Sequence, residues 1–143
     1  MINRESAYGA LFDLLSQIDG IPTFSRILAH WDDVSPSQQP AIYLAQDTQQ
    51  ATQAKGMPMI YVLGAKLWLY AHRDTNDIVP STQINNILDA IDAILTPNPT
   101  PEYKQTLGGV VEHCWINGAI ITDEGTLGNQ SIAIVPISMQ VTT

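Results

Sequence analysis

The sequence has few basic residues and a single cysteine, and each shortage excludes a class of protein. Only 6 of the 143 residues are Lys or Arg, against 14 Asp and Glu, which gives a formal net charge of −8. A surface that binds nucleic acid needs a basic patch, and residues 74–143 contain one base, Lys104. Cys114 has no partner for an internal disulfide, which suits a cytosolic origin.

Long apolar runs are also missing. No apolar segment reaches the roughly 18 residues of a membrane span, and the N-terminal residues lack the basic start and apolar run of a signal peptide. The sequence therefore predicts neither a leader nor a membrane partner. Its length fits one domain, residues 1–143.

Charged residues make up only 14% of the chain, whereas Gln, Asn, Ser and Thr are plentiful. This surface chemistry favours a subunit that uses its surface for contacts. The acids of residues 74–143 indicate a solvated face that aids solubility, and the alternative is a surface that repels polyanions.

The segment Ser81–Leu95 predicts an amphipathic helix around which the rest of the chain is organised. Its apolar residues recur at helical spacing and form one stripe, namely Ile84, Ile87, Leu88, Ile91, Ile94 and Leu95. Ser81 is its expected N-cap, and Thr96 and Pro97 are expected to end it.

A second amphipathic helix is predicted at Arg4–Ile18. Asn3 is its expected N-cap, Glu5 favours the positive end of the helix dipole, and Gly20 is the expected stop. Two such helices fit on one face of a sheet.

Most of the remaining chain has strand-like patterns, which predicts an α+β fold with a mainly antiparallel sheet and both helices packed on one face. The expected strands are Thr23–Trp31, Ala41–Gln46, Met59–Arg73, Val110–Ile116, Ala119–Thr122 and Gln130–Val141. The expected loops and turns are Asp32–Pro40, Asp47–Pro58, Asn117-Gly118 and Asp123–Gly125, with Thr96–Pro101 as an extended linker. The segment Asp47–Pro58 is either disordered or a contact arm that orders on assembly.

Met59–Arg73 is the longest strand candidate. Leu67, Leu69 and Ala71 alternate with polar and aromatic residues, so one face suits the helices and the other suits a contact between subunits. Gly64 indicates a bulge or bend inside this strand. Pro136 lacks a ladder donor and is expected at an edge or a bulge.

Catalytic and metal-binding patterns are not evident. His30 with Asp32 and Asp33 has the residue types of a metal site, but two acids after a strand more often begin a loop. His113 and Cys114 are neighbours in a strand, so their side chains point to opposite faces and cannot pair. We expect Cys114 to be a small buried apolar thiol.

Other motifs of enzymes are absent from the sequence. Gly108-Gly109 fits neither phosphate-loop frame, and no serine has a GxSxG context. The acid pairs Asp32-Asp33 and Asp123-Glu124 fall in predicted turns, which favours solvated carboxylates. Trp31, Trp68 and Trp115 lack accompanying bases and are expected to be core or interface anchors.

The order of motifs along nearly the whole chain resembles the tail terminator proteins of long-tailed bacteriophages, in the group that includes the lambda-like terminators. After the N-terminal helix come RILAHWDDV, PAIYLAQ, a polar loop, KLWLYAHR and PSTQINNILDAIDAIL. The most specific part is C-terminal, TLGGVVEHCWINGAI and then DEGTLGNQSIAIVPISMQV.

The resemblance implies a structural virion protein that caps the tail tube as a hexameric ring, ends tube polymerisation and forms the surface that joins the head. The implied partners are other copies of the chain, the tail tube protein and a neck or head-completion protein. DNA would pass through the ring without specific binding, and some acids of residues 74–143 would line the channel. The implied location is the head-proximal end of the tail, after assembly in the host cytoplasm.

The resemblance implies no enzyme: it supplies no catalytic, cofactor-binding or metal-binding residues, and no cofactor. Two alternatives stay open at this point. One is another phage neck protein that completes the head or the tail. The other is a small acidic binding domain, or an enzyme that uses Cys114 with a distant histidine.

Overall fold

The computed structural model describes residues 2–75, 77–97 and 102–143. Within them the chain has the expected α+β fold, with two helices and a six-stranded, mostly antiparallel mixed sheet. The elements are α1 Arg4–Leu15, β1 Thr23–Ser25, β2 Ala41–Thr52, β3 Ile60–His72, α2 Pro80–Ile94, β4 His113–Ile116, β5 Ile121–Leu127 and β6 Gln130–Thr142. Two short 3₁₀ turns, Trp31–Asp33 and Pro36–Gln38, lie between β1 and β2.

The strand order is β1-β2-β3-β6-β4, and β5 also pairs with β6. Only the β1–β2 pair is parallel. The strands β4 and β5 lie one after the other along the same side of β6, opposite Ile137–Gln140 and Gln130–Ile134 respectively. The central ladder of the sheet is therefore the long antiparallel pair β3–β6.

Both helices pack on one face of the sheet, which we call the helix face; the opposite face is the open face. The aliphatic side of β3 is buried there as predicted, and Ala133 and Val135 of β6 are fully buried beside it. The helices contribute Ala7, Tyr8, Leu11, Leu15, Ile84, Ile87, Ile91 and Leu95 to the same core. The apolar stripes of the two helices and the aliphatic faces of β3 and β6 therefore pack together in one core.

The predicted ends of the helices need two corrections. α2 begins at Pro80, with Val79 rather than Ser81 at the N-cap and no side-chain cap bond; proline fits the first helical position, where no N–H bond is needed. α1 ends at Leu15 rather than Ile18, because the chain tightens there and the Ile18 amide donates to the Leu15 carbonyl at 3.1 Å. The predicted Asn3 cap is confirmed, with its Oδ1 accepting from the Ser6 amide at 3.0 Å.

The predicted strand Thr23–Trp31 is wrong beyond Ser25. A parallel β1–β2 pair requires a crossover, and residues 26–40 provide it by passing over the open face. There the Tyr70 hydroxyl donates to the Ala29 carbonyl at 2.6 Å. A second apolar cluster forms beneath this crossover from Val34, Ala41, Tyr43 and Tyr70.

The predicted loop Asp47–Pro58 is also wrong over its first half. β2 continues to Thr52 and pairs with β3, so the connection shortens to residues 53–59. The Gln- and Thr-rich segment carries no apolar alternation because both of its faces are exposed. This segment is a strand because it pairs with β3, and a long-range pairing leaves no periodic pattern in the local sequence.

Gly64 marks an irregularity, as predicted, but the extra residue lies in β2. Asp47 and Thr48 stand opposite Gly64, between the pairs Gln46–Ala65 and Gln49–Leu63. A Cβ atom on Gly64 would lie 2.5 Å from the Thr48 carbonyl oxygen. Only glycine therefore lets the bulged backbone approach β3 so closely.

The C-terminal turns differ from prediction. Asp123–Gly125 lies inside β5 at a register shift, and the turn comes later, at Gly128-Asn129. Asn117-Gly118 does not close a hairpin, because β4 and β5 run in the same direction along β6. β4 begins at His113 rather than at the predicted Val110, and β5 begins at Ile121 rather than at the predicted Ala119. Of the predicted linker Thr96–Pro101, residues 98–101 lie outside the described part of the chain.

Pro136 explains the gap between β4 and β5. The Asn117 amide donates to the Pro136 carbonyl at 3.0 Å, so Pro136 faces this neighbouring chain. In a strand the N–H and C=O of one residue point to the same side, and the missing proline N–H therefore falls where the ladder is interrupted. The predicted edge or bulge at Pro136 is wrong, because β6 is an inner strand and pairs with β3 without a register shift; the proline is tolerated at the gap between β4 and β5 instead.

Candidate assembly surface

The histidine–acid group near residue 30 is a local turn. The His30 Nδ1 accepts from the Asp32 amide at 3.2 Å and caps the 3₁₀ turn Trp31–Asp33. This bond fixes the imidazole against its own backbone, so the two acids begin a turn as the sequence favours. No group of three or more His, Cys, Asp or Glu residues suited to a metal occurs in the described ranges.

His113 and Cys114 point to opposite faces, as predicted. The Cys114 thiol lies in the core and is 1% exposed, and burial raises its pKa to about 12. The His113 ring stacks on Trp115 with 5.2 Å between centroids, and its Nδ1 accepts from the Gln105 amide at 3.1 Å. A reactive thiol needs a lowered pKa and access, and Cys114 has neither.

A cavity of about 340 Å³ lies between the start of α2, the end of β3 and the crossover. His72 lines this cavity and a neighbouring one of about 210 Å³, and its buried Nδ1 has no hydrogen-bond partner among the described residues. Arg73 is held by its neighbours, with Nη1 donating to the Ile78 carbonyl and Nε to Asn129 Oδ1, each at 3.0 Å. No motif in the sequence points to this cavity, because its lining comes from three separate segments.

The tryptophans divide between two positions on the open face. Trp31 and Trp68 pack partly buried against the second apolar cluster, which makes them anchors of the crossover. Trp115 is half-buried on β4, outside that cluster. Two of the three predicted anchors therefore hold the crossover to the sheet.

Two strand edges of the sheet are free over several residues. β1 pairs only with Ala41–Tyr43, so the second half of β2, Gln46–Thr52, has β3 on one side and no described strand on the other. β5 has β6 on one side and, again among the described strands, no neighbour on the other. Unpaired strand edges are templates for pairing with another chain. We call these the β2 edge and the β5 edge.

The edge of β4, in contrast, is covered. The Cys114 amide donates away from β6 to the Gln105 carbonyl at 2.9 Å, so the segment before β4 occupies that position. The two free edges consequently lie on opposite sides of the sheet and toward opposite ends of β6.

Exposed apolar side chains flank both free edges. Ile121 on β5 is 62% exposed, beside Ile120 at 40%. Met57, in the connection that follows β2, is 60% exposed, and Ile60 is 38% exposed. Exposed aliphatic groups next to unpaired backbone are typical of a surface that a partner covers.

The two edges differ in their balance of charge. Asp123 and Glu124 are the only charged residues of β5. The β2 edge contains one acid, Asp47, whose Oδ2 lies 3.9 Å from Lys66 Nζ. Near it the Arg4 Nε donates to Gln49 Oε1 at 2.7 Å, and Lys55 lies in the connection after β2.

Comparison with known protein families and with curated proteins finds no match for this chain. No helix in the described part of the chain is long and apolar enough to cross a membrane.

Proposed function

We propose that this protein is a structural subunit of a phage tail, a tail-terminator-like protein that caps the tail tube as a ring. The observation that carries the proposal is that four motifs of the resemblance form the helix or strand expected of them, whereas RILAHWDDV lies in the crossover and the polar loop is strand over its first half. PAIYLAQ enters β2, KLWLYAHR lies in β3, PSTQINNILDAIDAIL forms α2, and IAIVPISMQV lies in β6. Both helices pack on one sheet face, as the resemblance implies.

The free edges support an assembling role. A sheet with unpaired edges on opposite sides can join copies head to tail, and a head-to-tail contact closes as a ring when the rotation allows it. The ring would be a homo-hexamer at the head-proximal end of the tail, bound to the tail tube protein on one side and to a neck protein on the other. In this role it needs no active site, and DNA passes through without specific contacts.

The acids divide between the two faces of the sheet. Asp89 and Asp92 are exposed on α2, on the helix face, whereas Asp123 belongs to the open face. These faces are opposite sides of one sheet, so a channel meets one set or the other. We propose that one of the two sets lines the channel and repels DNA. An image of the assembled ring with both sets away from the channel would refute this.

The test is a tube-capping assay. Tail tubes assembled from the tube protein of the same phage should stop growing when this protein is added, with extra density at one tube end in negative stain. A Cys114→Ala variant is the matched control for a thiol-dependent activity, and it should cap equally well because the thiol is buried. Tubes of unchanged length with bare ends would reject the proposal. Binding to the head side alone would instead indicate another neck protein.

A further inference from the structure

We infer that the contact between copies is strand addition, in which the β2 edge of one copy pairs antiparallel with the β5 edge of the next and continues the sheet. This inference deepens the proposed function and rests on it only for the identity of the ring. The partner is a second copy of this chain. The backbone pattern, the strand directions and the charges of the edges each support it.

The hydrogen-bond alternation shows which groups of β2 point outward. The Arg73 amide donates to the Asn129 carbonyl and the Thr143 amide to the Met59 carbonyl, each at 3.0 Å. Odd-numbered residues of β3 therefore face β6 and even-numbered ones face β2, because antiparallel pairs alternate. Ile60 and Val62 stand opposite Thr52 and Gln50. It follows that Gln49 and Ala51 direct their N–H and C=O groups to the β2 edge.

The same alternation assigns the β5 edge. The Pro136 carbonyl accepts from the Asn117 amide, so even-numbered residues of β6 face β4 and β5. Ile121 and Asp123 stand opposite even-numbered residues, Ile134 and Ile132. Thr122 between them directs its N–H and C=O groups outward.

The strand directions make this contact a regular continuation of the sheet. β2 is antiparallel to β3, β3 to β6 and β6 to β5, so β5 runs antiparallel to β2 of its own copy. If the symmetry axis of the ring runs roughly along the strands, rotation from one copy to the next leaves each strand pointing the same way along that axis. The β2 edge of the next copy therefore meets β5 in antiparallel fashion, as in every pair of the sheet except β1–β2.

The offset of the two edges determines how steeply the strands would tilt in a closed ring. Gln49 and Ala51 align through β3 with Met139 and Val141, six and eight residues beyond Ala133, which stands opposite Thr122. At about 3.3 Å per residue the offset is about 20–26 Å, across four strand spacings of about 4.8 Å each. The ratio of these two lengths gives a strand tilt of about 45–55°. This tilt begins at the upper end of the range of about 35–45° that is typical of closed barrels, so the contact requires a ring of steeply tilted strands.

Charge favours this pairing over the pairing of like edges. Two β5 edges would bring Asp123 and Glu124 of each copy together without a compensating base in either strand. The β2 edge has one acid, Asp47, beside Lys66, and it has Arg4 held near it by Gln49, with Lys55 just beyond. Like charges directly opposite in a sheet are destabilising, so the β5 edge meets less like charge at the β2 edge than at a second β5 edge.

Two proline variants test the inference. Ala51→Pro and Thr122→Pro each remove one outward N–H while leaving the ladder within the molecule intact. Both positions are exposed. Each variant alone should raise the concentration needed for assembly by at least about tenfold, measured by analytical ultracentrifugation. The matched controls Ala51→Val and Thr122→Val keep the N–H and should assemble like the unchanged protein.

Mixing the two proline variants distinguishes this contact from its alternatives. Each retains one intact edge, so a one-to-one mixture should form a heterodimer and no ring. A β2-to-β2 contact would leave Thr122→Pro assembling normally, and a β5-to-β5 contact would leave Ala51→Pro assembling normally; either result overturns the inference. Hydrogen exchange on the unchanged chain gives a second measurement, independent of variant folding. The amides of Gln49, Ala51 and Thr122 should gain protection on assembly, and unchanged exchange there would refute strand addition.

The outcomes separate this inference from the proposed function. Rings that form through the two edges but leave tail tubes uncapped would keep the contact and remove the tail role. Capped tubes whose caps tolerate both proline variants would keep the tail role and remove the contact.

Discussion

At the scale of single residues, Gly64 is required by its neighbour. The Thr48 carbonyl oxygen would lie 2.5 Å from a Cβ atom on residue 64. Thr48 belongs to the bulge of β2, so its backbone cannot move away easily. We predict that Gly64→Ala lowers the free energy of unfolding by roughly 1–3 kcal/mol, as overpacking does. Chemical denaturation measures this loss.

The control for Gly64 is another glycine, Gly9 in α1. A Cβ on Gly9 meets nothing within 4 Å, and alanine is the better helix former by about 1 kcal/mol. Gly9→Ala should therefore stabilise the protein. Equal effects of the two substitutions would contradict the bulge as described.

Cys114 gives a pH dependence of known sign. Burial raises the pKa of its thiol from 9.0 to about 12 in the folded protein. Above pH 9 the unfolded chain loses the thiol proton while the folded one keeps it, so unfolding is favoured as pH rises. Stability from this group is complete below pH 9 and is lost between about pH 9 and pH 12. Thermal melts of Cys114→Ala should lack this component, and an identical alkaline profile would contradict it.

At the scale of elements, the two helices differ at their N-termini, because only α1 has a side-chain hydrogen bond at its N-cap. Asn3 caps α1 with a side-chain bond to the Ser6 amide, whereas Ser81 lies inside α2 after Pro80. Asn3→Ala should cost about 1 kcal/mol of stability, the usual value of a cap. Ser81→Ala should change stability by less than about 0.5 kcal/mol. Urea titrations compare them, and a larger loss at Ser81 would restore it as the cap.

Elements with an apolar period were predictable from the sequence. The α2 stripe and the alternation of Leu67, Leu69 and Ala71 each predict the type of element and its buried face. Both predictions are confirmed. The second half of β2 has no such period, because it is exposed on both faces and is defined by its pairing with β3. The crossover at residues 26–40 was missed for a similar reason, since the parallel β1–β2 pair that requires it is a long-range contact.

The candidate site was only partly visible in the sequence. The expectation that Cys114 is buried could be drawn from local alternation, and it is confirmed. The free edges could not be foreseen, because an edge is defined by which strands lie beside it. Asp123–Gly125 has the composition of a turn, yet it lies in the strand β5 at one of those edges.

At the scale of the whole molecule, the fold is an open sheet that two helices and a crossover stabilise from either side. Its helices and sheet form the main core within one chain, with a second apolar cluster under the crossover, while its two free edges pair with no described strand. We propose that copies of this chain close those edges against each other and form the ring that caps a tail tube.

Electron microscopy of the purified protein, alone and on tail tubes, tests that claim most directly. We expect closed six-fold rings with a central channel, in which the β2 edge of each copy lies against the β5 edge of the next. A protein that stays monomeric at high concentration and never appears at tube ends would contradict it.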